Sequence, residues 1–154
     1  MRLMISAIGR FKNGPEAKHF QHYSNRISPR IDLRECENKR AGSGAEVRAR
    51  EADLLLATLP KTPTIIVSLD ERGKAFSSEA FAARLAQFRD DGNPTLAFLS
   101  GGAFGHGDAV TQAARLQLSL GPMTYPHLLV RVILAEQLYR AQQILAGHPY
   151  HHGG

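Results

Sequence analysis

Three short segments carry the residue types that a small-molecule site needs: Leu69-Asp70, the run Ser100-Gly101-Gly102-Ala103-Phe104-Gly105, and the run Leu120-Gly121-Pro122-Met123-Thr124-Tyr125. Glycine has no Cβ, so such turns let backbone N–H and C=O groups approach a flat ligand, while Leu69, Leu120 and Met123 offer apolar contact. One isolated glycine pair usually serves only to turn the chain. Three turns that each follow an apolar run point instead to one pocket. The common nucleotide fingerprints are absent, because no Gly-x-Gly-x-x-Gly follows the first strand and no glycine loop ends in Gly-Lys-Ser/Thr. Near the end of the chain lie His148, Tyr150, His151 and His152. The three histidines resemble a metal cluster in spacing, but no Cys or carboxylate accompanies them, and no metal is expected.

The elements that must position these groups follow from periodicity. Residues 3–9 are an apolar run ended by Gly9, and 15–28 have helical apolar spacing. Residues 31–37 alternate apolar and charged types as a half-exposed strand does, and 45–59 read as a helix stopped by Pro60. The β-branched run 64–70 fits a central parallel strand, and 77–88 a helix opened by Ser77. Residues 95–99 form another strand, 108–116 a short helix, 117–120 a short strand and 126–145 a helix with Pro126 in its first turn. This alternation predicts an α/β fold with a mostly parallel sheet flanked by helices. In such sheets ligands bind beyond the carboxyl ends of the strands, where the three segments above would lie.

The chain has 154 residues, the size of one compact domain, and 43% of them are hydrophobic, enough for a sizeable core. Its formal net charge of +5 favours polyanions as partners. Candidate phosphate contacts are Lys12, Lys18, Arg26, Arg30, Lys39, Arg40, Arg48 and Arg50, with Ala41-Gly42-Ser43-Gly44 a loop among them. Cys36 is the single cysteine, between Glu35 and Glu37, so neither a disulfide nor an activated thiol is expected. No run reaches membrane-spanning length and the first residues lack a signal-peptide pattern, so the expected compartment is the cytoplasm.

Taken together, Leu3 to Ile8, Val67-Ser68-Leu69-Asp70, Leu99 to Gly105, Leu118-Ser119-Leu120, Met123-Thr124, Pro126-His127, Val130-Arg131-Val132, Glu136-Gln137, Tyr139-Arg140-Ala141 and His148-Pro149-Tyr150-His151 closely resemble one family. It is the small SPOUT-class methyltransferases of the RlmH type, which methylate a pseudouridine of large-subunit ribosomal RNA with S-adenosylmethionine. The resemblance covers nearly the whole chain. Departures occur at Ser100, where an aliphatic residue is usual, at His106, where Leu is common, and at His152-Gly153-Gly154, which replaces a basic residue.

The resemblance implies a single domain over 1–154 with a C-terminal trefoil knot at about 64–147, a known exception to unknotted chains. It implies donor binding by Leu69, Gly101, Leu120, Gly121, Pro122, Met123, Thr124 and Tyr125. It also implies methyl transfer to N3 of pseudouridine in 23S ribosomal RNA on the assembled ribosome. That nitrogen is a weak nucleophile while it keeps its proton. A His can accept a proton at neutral pH and an Arg can stabilise the resulting charge. Arg140, Tyr150 and His151 are the catalytic candidates, and Arg131, His127 and His148 the substrate-binding ones. The family is a homodimer, and Leu128, Val132, Ile133, Ala135 and Leu138 form a stripe that suits either a core or an interface. Two other functions share this fold: a non-catalytic RNA- or ribosome-binding module, and a transfer-RNA methyltransferase.

Overall fold

The computed structural model of the chain describes residues 1–153, so Gly154 of the departing tail lies outside the described residues. Five strands and six helices alternate: β1 (Arg2–Ile8), α1 (Pro15–Ser24), β2 (Asp32–Cys36), α2 (Gly44–Ala57), β3 (Thr64–Ala75), α3 (Ser78–Asp90), β4 (Thr95–Ser100), α4 (Asp108–Ala113), β5 (Leu116–Ser119), α5 (His127–Leu145) and α6 (Tyr150–Gly153). The strands form one parallel sheet in the order β2-β1-β4-β3-β5. All of β4 and all but the first residue of β1 are buried, as central strands covered on both faces must be.

The two-residue period of the strands sorts the core into two layers. Leu3 and Ile5 of β1, Ile65 and Val67 of β3, and Leu96 and Phe98 of β4 pack with α1, α3 and α5. Ile8 and Leu99 point the other way and pack with Ala52 and Leu55 of α2 and Val110 of α4. Ser43 and Ser77 open α2 and α3 by accepting hydrogen bonds from the N–H groups of Glu46 and Ala80. The stripe on α5 divides between uses: Val132, Ala135 and Leu138 are buried in the core, while Leu128 and Ile133 are half-buried.

Two elements differ from the expectation. β3 runs on to Ala75, and its pairing with β5 jumps, because Leu69 and Lys74 both pair with Leu118. The residues between them, Asp70-Glu71-Arg72-Gly73, are looped out as a bulge. A Cβ on Gly73 would stand 2.5 Å from the Gln117 carbonyl oxygen, so this close approach requires glycine. The tail also forms a short helix, α6, which packs against α5.

Candidate active site

The bulge of β3 and the carboxyl ends of β4 and β5 open into one cleft of about 880 Å³. The three segments singled out by residue type meet there: Leu69, the turn from Ser100 to His106, and the loop with Leu120, Gly121, Met123, Thr124 and Tyr125. His127 and Val130 at the start of α5 close one side, and Arg48 of α2 and Asp108 of α4 add charge at the wall. Pro122 is the member of the loop that does not line the cleft. Met123 is 71% exposed, so its side chain stands over the cleft as an uncovered apolar group.

The bulge in β3 ties the loop to the sheet. Ser119 Oγ donates to the Glu71 carbonyl at 3.0 Å, and Thr124 Oγ1 donates to the Glu71 carboxylate at 2.9 Å. Within the bulge Arg72 pairs with Asp70 at 3.2 Å, and its N–H donates to Asp70 Oδ1 at 2.9 Å. Burial alone would raise the Asp70 carboxyl, but these bonds outweigh it and hold the group below the usual carboxylate range. A fixed negative charge therefore lies on the cleft wall.

The glycine turn is gripped from beneath. Gly105 N–H donates to the Gly102 carbonyl at 3.1 Å, and positive φ at Gly105, +79°, fits the absence of a side chain. α2 packs so closely that a Cβ on Gly107 would stand 2.7 Å from the Arg48 carbonyl, and one on Gly102 would stand 2.9 Å from a Glu51 carboxylate oxygen. Glu51 is buried and its Oε1 has no hydrogen-bond partner, so burial pushes its carboxyl up. His106 Nε2 donates to the Leu99 carbonyl at 3.0 Å. Burial pushes this imidazole down, against the pull of that bond, of Asp70 and of the Leu69 carbonyl.

Arg140, Tyr150 and His151 are brought together, but not in the cleft. Glu136 Oε1 accepts from Arg140 Nη2 at 2.6 Å and from Tyr150 Oη at 3.2 Å. Arg140 Nη1 donates to His151 Nδ1 at 3.3 Å, which leaves the proton on Nε2, donated to Glu79 at 2.8 Å. That bond holds the exposed Glu79 carboxyl below its ordinary range. Burial, then the neighbouring Glu136, push the Tyr150 phenol up, so it is a hydrogen-bond donor at neutral pH. His148 is exposed, and its Nδ1 accepts from the Tyr150 N–H at 3.1 Å, which caps α6. Thirteen residues of α5 separate His127 from Arg140, which at 1.5 Å per residue is about 20 Å.

Arg131 departs from the expectation of a substrate contact. Its side chain is fully buried, pairs with Glu35 at 2.9 Å and donates to the carbonyls of Ile8 at 2.6 Å and Gly9 at 2.9 Å. Its guanidinium also stacks 4.9 Å from the Phe11 ring centroid. Arg131 is thus a strut between α5 and the end of β1, with no group turned to solvent. Glu51 is a site residue that residue typing passed over, while Arg48, expected as a phosphate contact, and His106, noted only as a departure from the family, stand at the cleft. Glu51 left one signal, since it lies four residues before buried Leu55 on the same helix face.

The chain matches the family model described as predicted SPOUT methyltransferase over residues 1–151. The chain belongs to the SPOUT methyltransferase family. Its five-stranded parallel sheet flanked by helices is the α/β knot fold of that family. A Paramagnetospirillum magneticum protein named Ribosomal RNA large subunit methyltransferase H is 55% identical over 98% of this chain and 99% of its own length. Proteins of the same name from Rhodospirillum centenum and Rhodospirillum rubrum are 50% and 48% identical over the same shares. The crystal structure of the SpoU methyltransferase AviRb from Streptomyces viridochromogenes in complex with the cofactor AdoMet aligns with a TM-score of 0.50 at 14% identity. That alignment covers 93% of this chain and 58% of the other, and the likeness is one of fold. Among the described residues no helix is long and apolar enough to cross a membrane. Among the same residues no group of three or more His, Cys, Asp or Glu side chains converges as a metal site would.

Proposed function

We propose that this protein is a methyltransferase that moves a methyl group from S-adenosylmethionine to N3 of a pseudouridine in large-subunit ribosomal RNA, on the assembled ribosome. The observation that carries the reading is the convergence of Leu69, Gly101, Leu120, Gly121, Met123, Thr124 and Tyr125 on one cleft at the sheet's carboxyl end. The relatives named Ribosomal RNA large subunit methyltransferase H support the substrate class, since they match this chain along its full length. The expected compartment is the cytoplasm, where ribosomes are assembled.

The cleft fits the donor. Leu69, Leu118, Leu120 and Val130 give apolar walls, Gly101 and Gly121 bare the backbone, and Asp108 supplies negative charge for a cation. S-adenosylmethionine supplies, when bound, an electrophilic methyl group on a sulfonium. The chain's own part is to exclude water with Met123 and Tyr125 and to hold the loop through Thr124 and Glu71. Knotted backbone over about 64–147, within one domain spanning 1–154, would fix the three segments together.

We assign the acceptor side to Arg140, Tyr150 and His151. Arg140 offers a positive charge to the deprotonated base, Tyr150 a hydroxyl donor, and His151 a proton acceptor once it leaves Arg140. Because this cluster stands about 20 Å from His127 along α5, the two halves meet only if a second copy lays its tail over the cleft. Exposed Met123, Tyr125 and Leu129 beside the cleft are apolar groups that such a homodimer would cover. Substrate contact is assigned to His127, exposed at the cleft, and to His148, exposed in the tail.

The test is complementation between two inactive variants, one altered at Gly101 in the cleft and one lacking the tail from His148. Mixed by co-refolding, half the dimers carry one intact composite site of two, so about a quarter of the wild-type methylation returns. No return despite mixed dimers contradicts the shared site.

A further inference from the structure

The glycine turn that walls the donor cleft is bracketed by two buried polar atoms that lack partners. His106 Nδ1 would lie 3.3 Å from a Cβ on Gly101, and Glu51 Oε1 would lie 3.0 Å from one on Gly102. Buried polar atoms are nearly always paired, so two orphans at adjacent residues mark a constraint specific to this turn.

The tautomer follows from geometry. The Leu99 carbonyl can only accept, so Nε2 carries the proton and Nδ1 is a bare lone pair facing Gly101. A second proton would sit on Nδ1, which is enclosed and has no hydrogen-bond partner, on the side of the ring that faces Gly101. The charged and titratable groups that line the same cleft are Asp70, Glu71 and Arg72 of the bulge, Arg48 of α2, Asp108 of α4 and His127 of α5, with Glu51 behind Gly102. Asp70 pulls on the ring by charge and the Leu69 carbonyl by a backbone hydrogen bond, and burial outweighs both. With Nδ1 enclosed and unpartnered beside Gly101, protonation requires the ring or the turn to move.

We propose that His106 is a positioning residue of the donor pocket: as a neutral imidazole it props the Gly101-Gly102 turn against the end of β4, and protonation displaces the turn and weakens donor binding. The proposal rests on the reading of the cleft as the S-adenosylmethionine site. It is consistent with burial, which already holds the imidazole below its ordinary value.

The test compares S-adenosylmethionine affinity by calorimetry for wild type and His106→Leu between about pH 8 and about pH 5.5, with 15N spectra of the imidazole alongside. Proton competition by an imidazole that burial holds below its ordinary range weakens wild-type binding by about threefold or more over that span. The same ratio in His106→Leu stays within about twofold. The spectra show Nδ1 unprotonated at pH 8 and resonances of Gly101 and Gly102 moving with the ring's titration. Should His106→Leu fail to fold, His106→Gln keeps an N–H for Leu99 without a titrating site and serves instead. Equal pH ratios in wild type and variant, or a proton on Nδ1 at pH 8, overturn the proposal while the cleft reading stands. No donor binding by wild type at pH 8 overturns both.

Discussion

Replacing Glu35 by Ala isolates what the buried Arg131 needs. The substitution removes the carboxylate that pairs with Arg131 at 2.9 Å and that accepts the Phe11 N–H at 2.8 Å. Stripping one partner from a buried ion pair costs about 3–5 kcal/mol, because the surviving charge stays desolvated. Two features place this case at the lower end. The Glu35 side chain is 21% exposed, so water reaches the vacated space, and Arg131 keeps its bonds to the Ile8 and Gly9 carbonyls. A loss of about 3 kcal/mol lowers the melting temperature of a chain this size by roughly 6–12 °C. The assay is urea unfolding followed by circular dichroism, with Glu35→Gln, which retains an acceptor, losing about half as much. Stability of Glu35→Ala within about 0.5 kcal/mol of wild type would refute the role of Arg131 as a strut. So would an Arg131→Met variant that folds as wild type does but loses ribosome affinity.

Gly73→Ala forces a Cβ to within 2.5 Å of the Gln117 carbonyl and should destabilise by about 2 kcal/mol in the same unfolding assay, through displacement of β5. Thr124→Val removes the 2.9 Å bond to Glu71 and should weaken donor binding about threefold to tenfold by calorimetry, with little effect on unfolding. Tyr150→Phe should lower kcat for ribosome methylation by about tenfold and leave donor affinity unchanged, since the phenol lies in the tail cluster and outside the cleft of its own protomer. The lowered His106 value also predicts a stability trend. The unfolded chain takes this proton first, so the contribution is lost as pH falls from about 6.5 to the lower native value and is fully present above it. His106→Leu should flatten that segment of a melting-temperature profile.

Local periodicity carried most of the fold. The β-branched run before Asp70, the Ser77 cap and the apolar strand before Ser100 each announce one element, and the structure has all three. The polar stretch Glu71-Arg72-Gly73-Lys74 reads as a loop, yet β3 resumes beyond it because β5 alongside supplies the pairing. Arg131 looks like a solvent-facing cation on α5, and only Glu35, 96 positions earlier, makes its burial possible. The cleft residues were legible because three turns, two of them glycine-bearing, each follow an apolar run, where one alone would have meant only a change of direction. His106 and Glu51 were not, since an unpaired buried atom is defined by what packs around it and not by its neighbours in the chain.

The most direct test is transfer of a labelled methyl group from S-adenosylmethionine to assembled ribosomes, free ribosomal RNA and transfer RNA, each from a strain lacking this protein. Label on ribosomes alone, mapped to N3 of a pseudouridine in the large subunit, is the predicted result. Label confined to transfer RNA, or none on any substrate from a folded dimer that binds ribosomes, would contradict the account.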